Sequence, residues 1–263
     1  MVIDLPISLA MLQDVFHAPA DGVTVARILL RWTHFVAGIT WIGLLYFFNL
    51  VNVPVQKGLD AETKKKVNPD LLGRSLWWFR WGAVVTVLVG LTYYAMYIVA
   101  PDVNNANAIG HASISIAYVL IIWILYPIVL FGIEFLIIKK VPALTKDGRL
   151  FAVVMIVLVA LFTYGLVSFF TSAMTHNGEN YASNKAYSIG VGGAHGILML
   201  LNVWGIIWPA NKRIIGALQG GPPAAPELAR QAFIASRTNA WLSLPMLLFM
   251  GTASHDWVVF IGK

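Results

Sequence analysis

The sequence predicts an all-α, polytopic membrane bundle of about six transmembrane helices, and three observations carry that reading. Only 11% of the 263 residues are charged while 59% are hydrophobic, against roughly 25% charged in ordinary soluble domains. Apolar runs recur along the whole length, each of about 18 residues or more and so able to cross a hydrocarbon core of roughly 30 Å as a helix. Lys and Arg gather in the connections between alternate runs instead of spreading evenly. A soluble fold of this size could not hide so much apolar surface, so one integral membrane domain over residues 1–263 is expected.

Taken in order, residues 1–22 (MVIDLPISLAMLQDVFHAPADG) have acidic flanks and no long apolar core. They read as a surface segment, not a cleavable signal peptide. Apolar runs then predict spans over 24–53, 76–100, 110–138, 150–174, 188–210 and 236–260. The connection after the first span carries Lys57, Lys64, Lys65, Lys66 and Arg74. That after the third carries Lys139, Lys140, Lys146 and Arg149, and that after the fifth carries Lys212, Arg213, Arg230 and Arg237. The Gly/Pro/Ala-rich stretch 214–232 is the clearest composition shift and reads as a loop. Positively charged loops stay on the cytoplasmic side, which puts both termini on the outer, periplasmic side of a bacterial inner membrane. The opposite loops agree: PDVNNANAIG has no Lys or Arg, and THNGENYASNKAY has only Lys185. Topology thus accounts for the net charge of +6, and no nucleic-acid partner is expected. The bilayer is the expected environment.

With no cysteine, the chain makes no disulfide, no iron–sulfur ligation and no covalent c-type haem attachment. Any cofactor is held non-covalently. No phosphate loop, Ser/His/Asp constellation or dinucleotide fingerprint is present, and no internal repeat or pair of midplane acids points to a transporter.

The six histidines fall toward the outer side. At about 1.5 Å per helical residue, His195 lies roughly 25 Å from Lys212, His255 roughly 27 Å from Arg237, and His34 roughly 35 Å from Lys57. These three are expected at similar depth on three spans, whereas His17, His111 and His176 are expected at the aqueous rim. Ionisable side chains inside a membrane are costly and mark functional positions. Neutral imidazole binds haem iron, copper and zinc. Copper centres often recruit Cys or Met, but Cys is absent and Met199 lies a turn inward of His195. Haem b is therefore the favoured cofactor, with His34, His195 and His255 as metal ligands.

Beside His195, the segment GVGGAHG removes side-chain bulk at Gly190, Gly192, Gly193 and Gly196. That suits a flat macrocycle pressed against the helix, and equally suits close helix–helix packing. In the first span Arg27, Arg31, His34, Gly38 and Trp41 follow spacings of four, three, four and three, so they share one helical face. The two arginines would suit haem propionates, or else lipid phosphates. Glu134 is expected to be a snorkelling or Lys-paired acid near the inner end of its span. The tryptophans, clustered as in LWWFRW, read as interface belts.

Four stretches, RWTHFVAGITWIGLLYFFN, LWWFRWGAVVTVLVG, AHGILMLLNVWGIIWPANKR and RTNAWLSLPMLLFMGTASHDW, together resemble the membrane domain of bacterial membrane-bound urate hydroxylases. The resemblance covers most of the chain and places the family's three histidines at His34, His195 and His255. It departs from the family where a His-Asn-Asn-x-Leu stretch is replaced by Thr238-Asn239-Ala240-Trp241-Leu242, and the loop after the first span is shorter. The chain is expected to lack the family's C-terminal cytochrome c domain. The resemblance implies a membrane-bound haem b oxidoreductase that oxidises a small substrate at the outer face and passes electrons to a separate cytochrome c or quinone. The alternative is a non-catalytic haem-binding or structural subunit of a larger respiratory or photosynthetic membrane complex.

Overall fold

A computed structural model describes residues 21–253 and 259–260. The expected surface segment up to residue 20, His17 and His255 lie outside the described residues. In chain order the helices are α1 (Gly22–Gly58), α2 (Ala61–Ile109), α3 (Ile116–Lys140), the short α4 (Pro142–Lys146), α5 (Gly148–Met174), α6 (Asn184–Leu218) and α7 (Glu227–Thr252). A two-stranded hairpin, β1 (Thr175–His176) with β2 (Glu179–Asn180), links α5 to α6. Its turn is Asn177-Gly178, both with positive φ, the pairing a two-residue hairpin favours. The all-α membrane bundle is what the structure shows.

Among the described residues, α1, α2, α3, α5 and α6 are long and apolar enough to cross a membrane. The sixth expected span, 236–260, corresponds to α7. Its 26 residues would reach about 39 Å, but its first half carries Glu227, Arg230, Gln231, Arg237 and Asn239. Composition alone therefore does not qualify it. The expected loop 214–232 needs correction, because α6 runs to Leu218 and α7 begins at Glu227. Only 219–226 lies between them. The helix formers in ELARQA extend α7 backwards, and Gly220 at φ +92° turns the chain after α6.

Each long helix but α7 opens on a capping side chain. Asp21, Asp60, Ser115, Asp147 and Ser183 accept from the backbone N–H groups of Thr24, Thr63, Tyr118, Arg149 and Ala186, satisfying donors that the helix start leaves free. The Thr63 N–H and hydroxyl hold the Asp60 carboxyl below its usual range. A depressed carboxylate contributes stability above its ordinary pKa and loses it as pH falls through the folded value. Asp60→Asn should accordingly flatten the acid limb of a thermal-denaturation profile while leaving the neutral region nearly unchanged. An identical acid limb in both proteins would count against the cap.

Three helices carry a π-helical turn: Phe47–Asn52 in α1, Ala95–Val99 in α2 and Val203–Ile207 in α6. Each lies just ahead of a proline, namely Pro54, Pro101 and Pro209. Proline lacks an N–H and its ring collides with the carbonyl one turn back, and a wider turn relieves that collision.

α6 is the centre of the bundle. Of its apolar window 67% is buried, against 17–28% for the other four apolar helices. α3 and α7 pack directly on it, and α1 lies along α2. The perimeter helices turn apolar side chains outward, such as Trp32, Phe35 and Ile39 on α1 and Val153, Ile156 and Leu161 on α5. Lipid tails are the complement of such a surface.

Candidate functional site

The face of α1 read from the sequence is the seam with α2. Trp41 backs onto Gly82, Gly38 onto Thr86, His34 onto Gly90, and Arg27 onto Tyr93 and Tyr97. Arg27 Nε donates to Tyr93 Oη at 3.4 Å, and its guanidinium lies 5.2 Å from the Tyr97 ring centre. Arg31 is exposed on the same face.

His34 is half-buried in this seam, with Nδ1 2.9 Å from the Thr86 carbonyl oxygen. A carbonyl only accepts, so Nδ1 carries the proton and Nε2 keeps its lone pair. An imidazole held this way by a backbone carbonyl is oriented as metal-ligating histidines are. Gly90 makes the room: a Cβ there would stand 2.8 Å from His34 Cε1 and Nδ1.

His195 stands elsewhere, on the inward side of α6. It is 5% exposed, its Nε2 lies 3.2 Å from Thr163 Oγ1 on α5, and its Nδ1 is buried without a hydrogen-bond partner. The ring borders a void of about 20 Å³ lined by Tyr126, Leu130, Phe162, Leu166 and Leu198 among others. That volume suits one water molecule, not a macrocycle. His34 and His195 thus belong to separate seams, α1–α2 and α5–α6. The third proposed ligand, His255, lies outside the described residues. Among the described residues no three His, Asp or Glu side chains converge as a metal site.

The glycines beside His195 are occupied. A Cβ at Gly190 would meet Tyr94 Oη at 2.7 Å, and one at Gly193 would meet Trp123 at 2.9 Å. At Gly192 the neighbours are the Met246 carbonyl and Met250, and at Gly196 the Met246 sulfur at 3.7 Å. Of the two roles open to these glycines, close helix packing is the one the structure displays. Among the described residues, then, His34 has a ring oriented by a backbone carbonyl, whereas the packing around His195, Gly192, Gly193 and Gly196 leaves no space for a macrocycle.

His111 and His176 sit in the connections at the end opposite the lysine-rich loops, His111 exposed with φ +53° and His176 on β1. Neither is brought to His34 or His195 by a hydrogen bond among those described.

Glu134 corrects the sequence reading. It is fully buried, neither snorkelling nor paired with a lysine, and Lys139, further along α3, donates to Gln231 Oε1. Glu134 Oε2 accepts from Asn202 Nδ2 at 3.0 Å. Asn202 Nδ2 also donates to Asn239 Oδ1 at 3.0 Å, and Asn239 Nδ2 to the Met199 carbonyl at 2.9 Å. This carboxyl–amide cluster ties α3, α6 and α7 together in the bundle interior. One signal could have found it. Val119, Trp123, Pro127, Leu130, Glu134 and Ile138 recur at helical spacing and form the buried face of α3, but α3 is apolar almost all round, so that face has no contrast in the sequence.

A family model described as urate oxidase N-terminal matches residues 21–261. No curated protein and no solved structure matches the chain.

Proposed function

The chain belongs to the urate oxidase N-terminal family, and on that premise we propose that it is a membrane-bound, urate hydroxylase-like oxidoreductase carrying non-covalent haem b. It oxidises a small substrate at one face of a bacterial inner membrane and passes electrons to a separate cytochrome c or quinone. The observation that carries this reading is His34, whose Nδ1–H is fixed on the Thr86 carbonyl, so that Nε2 is the nitrogen that keeps a lone pair. Haem bound there would supply one-electron transfer. The chain's own part is to hold and orient: Thr86 fixes the imidazole, Gly90 admits it, and Arg27 and Arg31, on the same helical face, present cations to propionates or to an anionic substrate. His255 completes the ligand set in this proposal, matching the family's third histidine.

The test is a reduced-minus-oxidised absorption spectrum of the purified protein. The expected result is a haem signature that His34→Ala abolishes and His195→Ala leaves largely in place. No signature in the native protein, or one unchanged in His34→Ala, overturns the assignment.

One observation favours a second reading, a haem-binding or structural subunit of a larger respiratory or photosynthetic membrane complex. His34 sits toward the perimeter, where α1 exposes Trp32, Phe35 and Ile39. A cofactor there would border lipid or another subunit. Purification decides between the two: turnover by the isolated chain supports the enzyme, and recovery only within one stable assembly supports the subunit.

A further inference from the structure

The Glu134 cluster is short of one hydrogen. Asn202 has both amide hydrogens committed, to Glu134 Oε2 and to Asn239 Oδ1. Glu134 Oε1 and Asn202 Oδ1 are then left as buried acceptors with no donor. Both residues are fully buried, as is Asn239. A carboxylic acid and a primary amide pair through two hydrogen bonds, the amide N–H to one carboxyl oxygen and the acid O–H to the amide oxygen. The first of these is present here, and the second requires only a proton on Oε1.

An ionised carboxylate in this position would also lack a counter-charge. No charged or titratable group described on the surrounding elements forms a hydrogen bond or ion pair with Glu134. Arg80 of α2 has Nε and one Nη buried without a hydrogen-bond partner, but its guanidinium lies over the Trp208 ring, 3.7 Å from its centre. The others are turned to other partners. Lys139 binds Gln231, Tyr126 donates to the Gly165 carbonyl and His195 pairs with Thr163. On α7, Arg230 donates to the Thr145 carbonyl and Arg237 lies against Phe233. Tyr94 of α2 donates to the Ala186 carbonyl. A buried charge without a pair is strongly disfavoured, and such groups neutralise by taking a proton. A bound cation is a poorer answer, because two unpartnered oxygens fall short of the six or more that calcium or magnesium requires.

We propose that Glu134 is a proton-binding site in the bundle interior, taking one proton on Oε1, donating it to Asn202 Oδ1, and exchanging it with water at the end of the bundle that carries Lys139 and Lys140. In uptake an O–H bond forms on Oε1, a water-derived proton is consumed and the carboxylate charge is removed. Glu134 lies within two turns of Lys140, roughly 9 Å along α3, so the exchange path to that end is short. The site needs no haem and stands apart from the redox reading.

Infrared spectroscopy of the purified full chain tests it. In the native protein at neutral pH the expected result is the carbonyl stretch of a protonated carboxyl, shifted when water is replaced by D₂O and lost in Glu134→Gln. In Asn202→Leu the band should persist but move, because its hydrogen-bond acceptor is gone. Absence of the band in the native protein, failure to shift in D₂O, or its survival in Glu134→Gln overturns the proposal. Should Glu134→Gln not fold, an unmoved band in Asn202→Leu does the same. Loss of the native band on adding Na⁺ or K⁺ would reassign the site to a cation.

Discussion

Trp123→Ala should lower the unfolding free energy by on the order of 3 kcal/mol, measured by reversible denaturation in detergent micelles. Trp123 is 2% exposed, donates from Nε1 to the Gly190 carbonyl at 2.8 Å, and packs its ring 4.7 Å from that of Tyr94. Its edge fills the space that Gly193 leaves open. Lipid tails are as apolar as a protein core, so association of these helices rests on packing and hydrogen bonds more than on exclusion of water. Removing the indole forfeits both at the α3–α6 seam and opens a cavity, which places the cost near the lower end of large core truncations. Trp123→Phe keeps most of the packing and should cost about 1 kcal/mol, the size of one hydrogen bond. Tyr164→Ala, on a residue 74% exposed on the perimeter, serves as the comparison and should change little. If Trp123→Ala denatured together with Tyr164→Ala, the seam would not be what holds α3 to α6.

The second large effect belongs to Gly90→Val. Any Cβ at this position would stand 2.8 Å from two atoms of the His34 ring, and the branches of valine leave the ring no alternative beside Thr86. The imidazole must leave its carbonyl partner or α1 must part from α2. The expected outcome is loss of the His34-dependent haem spectrum with helical circular dichroism retained. The collision is pairwise, so it should vanish when the ring is absent: Gly90→Val should be markedly destabilising in the native background and much less so in His34→Ala. A double-mutant cycle reads that difference directly. Equal destabilisation in the two backgrounds would show that the valine disturbs α2 by itself and that His34 is not seated on Gly90.

Much of this was legible in the chain. The apolar runs located α5 to within two residues and placed the start of α3 six residues early. The spacing of Arg27, His34, Gly38 and Trp41 marked one face of α1, which the structure packs on α2. α1, α2 and α6 run further than their apolar runs, because capped, soluble turns continue a helix beyond the hydrocarbon. Depth along each span set His111 and His176 near helix ends, and both stand in the connections between helices. It said nothing about azimuth, and so a shared depth for His34 and His195 did not make them neighbours. Glu134 was misread for the same reason, since its distance from the helix end suggested reach to the surface while its direction is inward.

The sequence by itself determined that this is a multi-pass helical membrane protein, where the apolar centre of each helix lies, which connections are basic, and to which family it belongs. These follow from hydrophobicity and motif order, which are local and additive along the chain. Only the tertiary structure decided that Gly190 receives Tyr94, Gly192 Met250 and Gly193 Trp123, that His34 and His195 face different seams, and that Glu134 meets Asn202. In helices that are apolar on nearly every side, hydrophobicity no longer marks an inward face. The choice falls to the fit of side chains between helices far apart in sequence, and it exists only once they are packed.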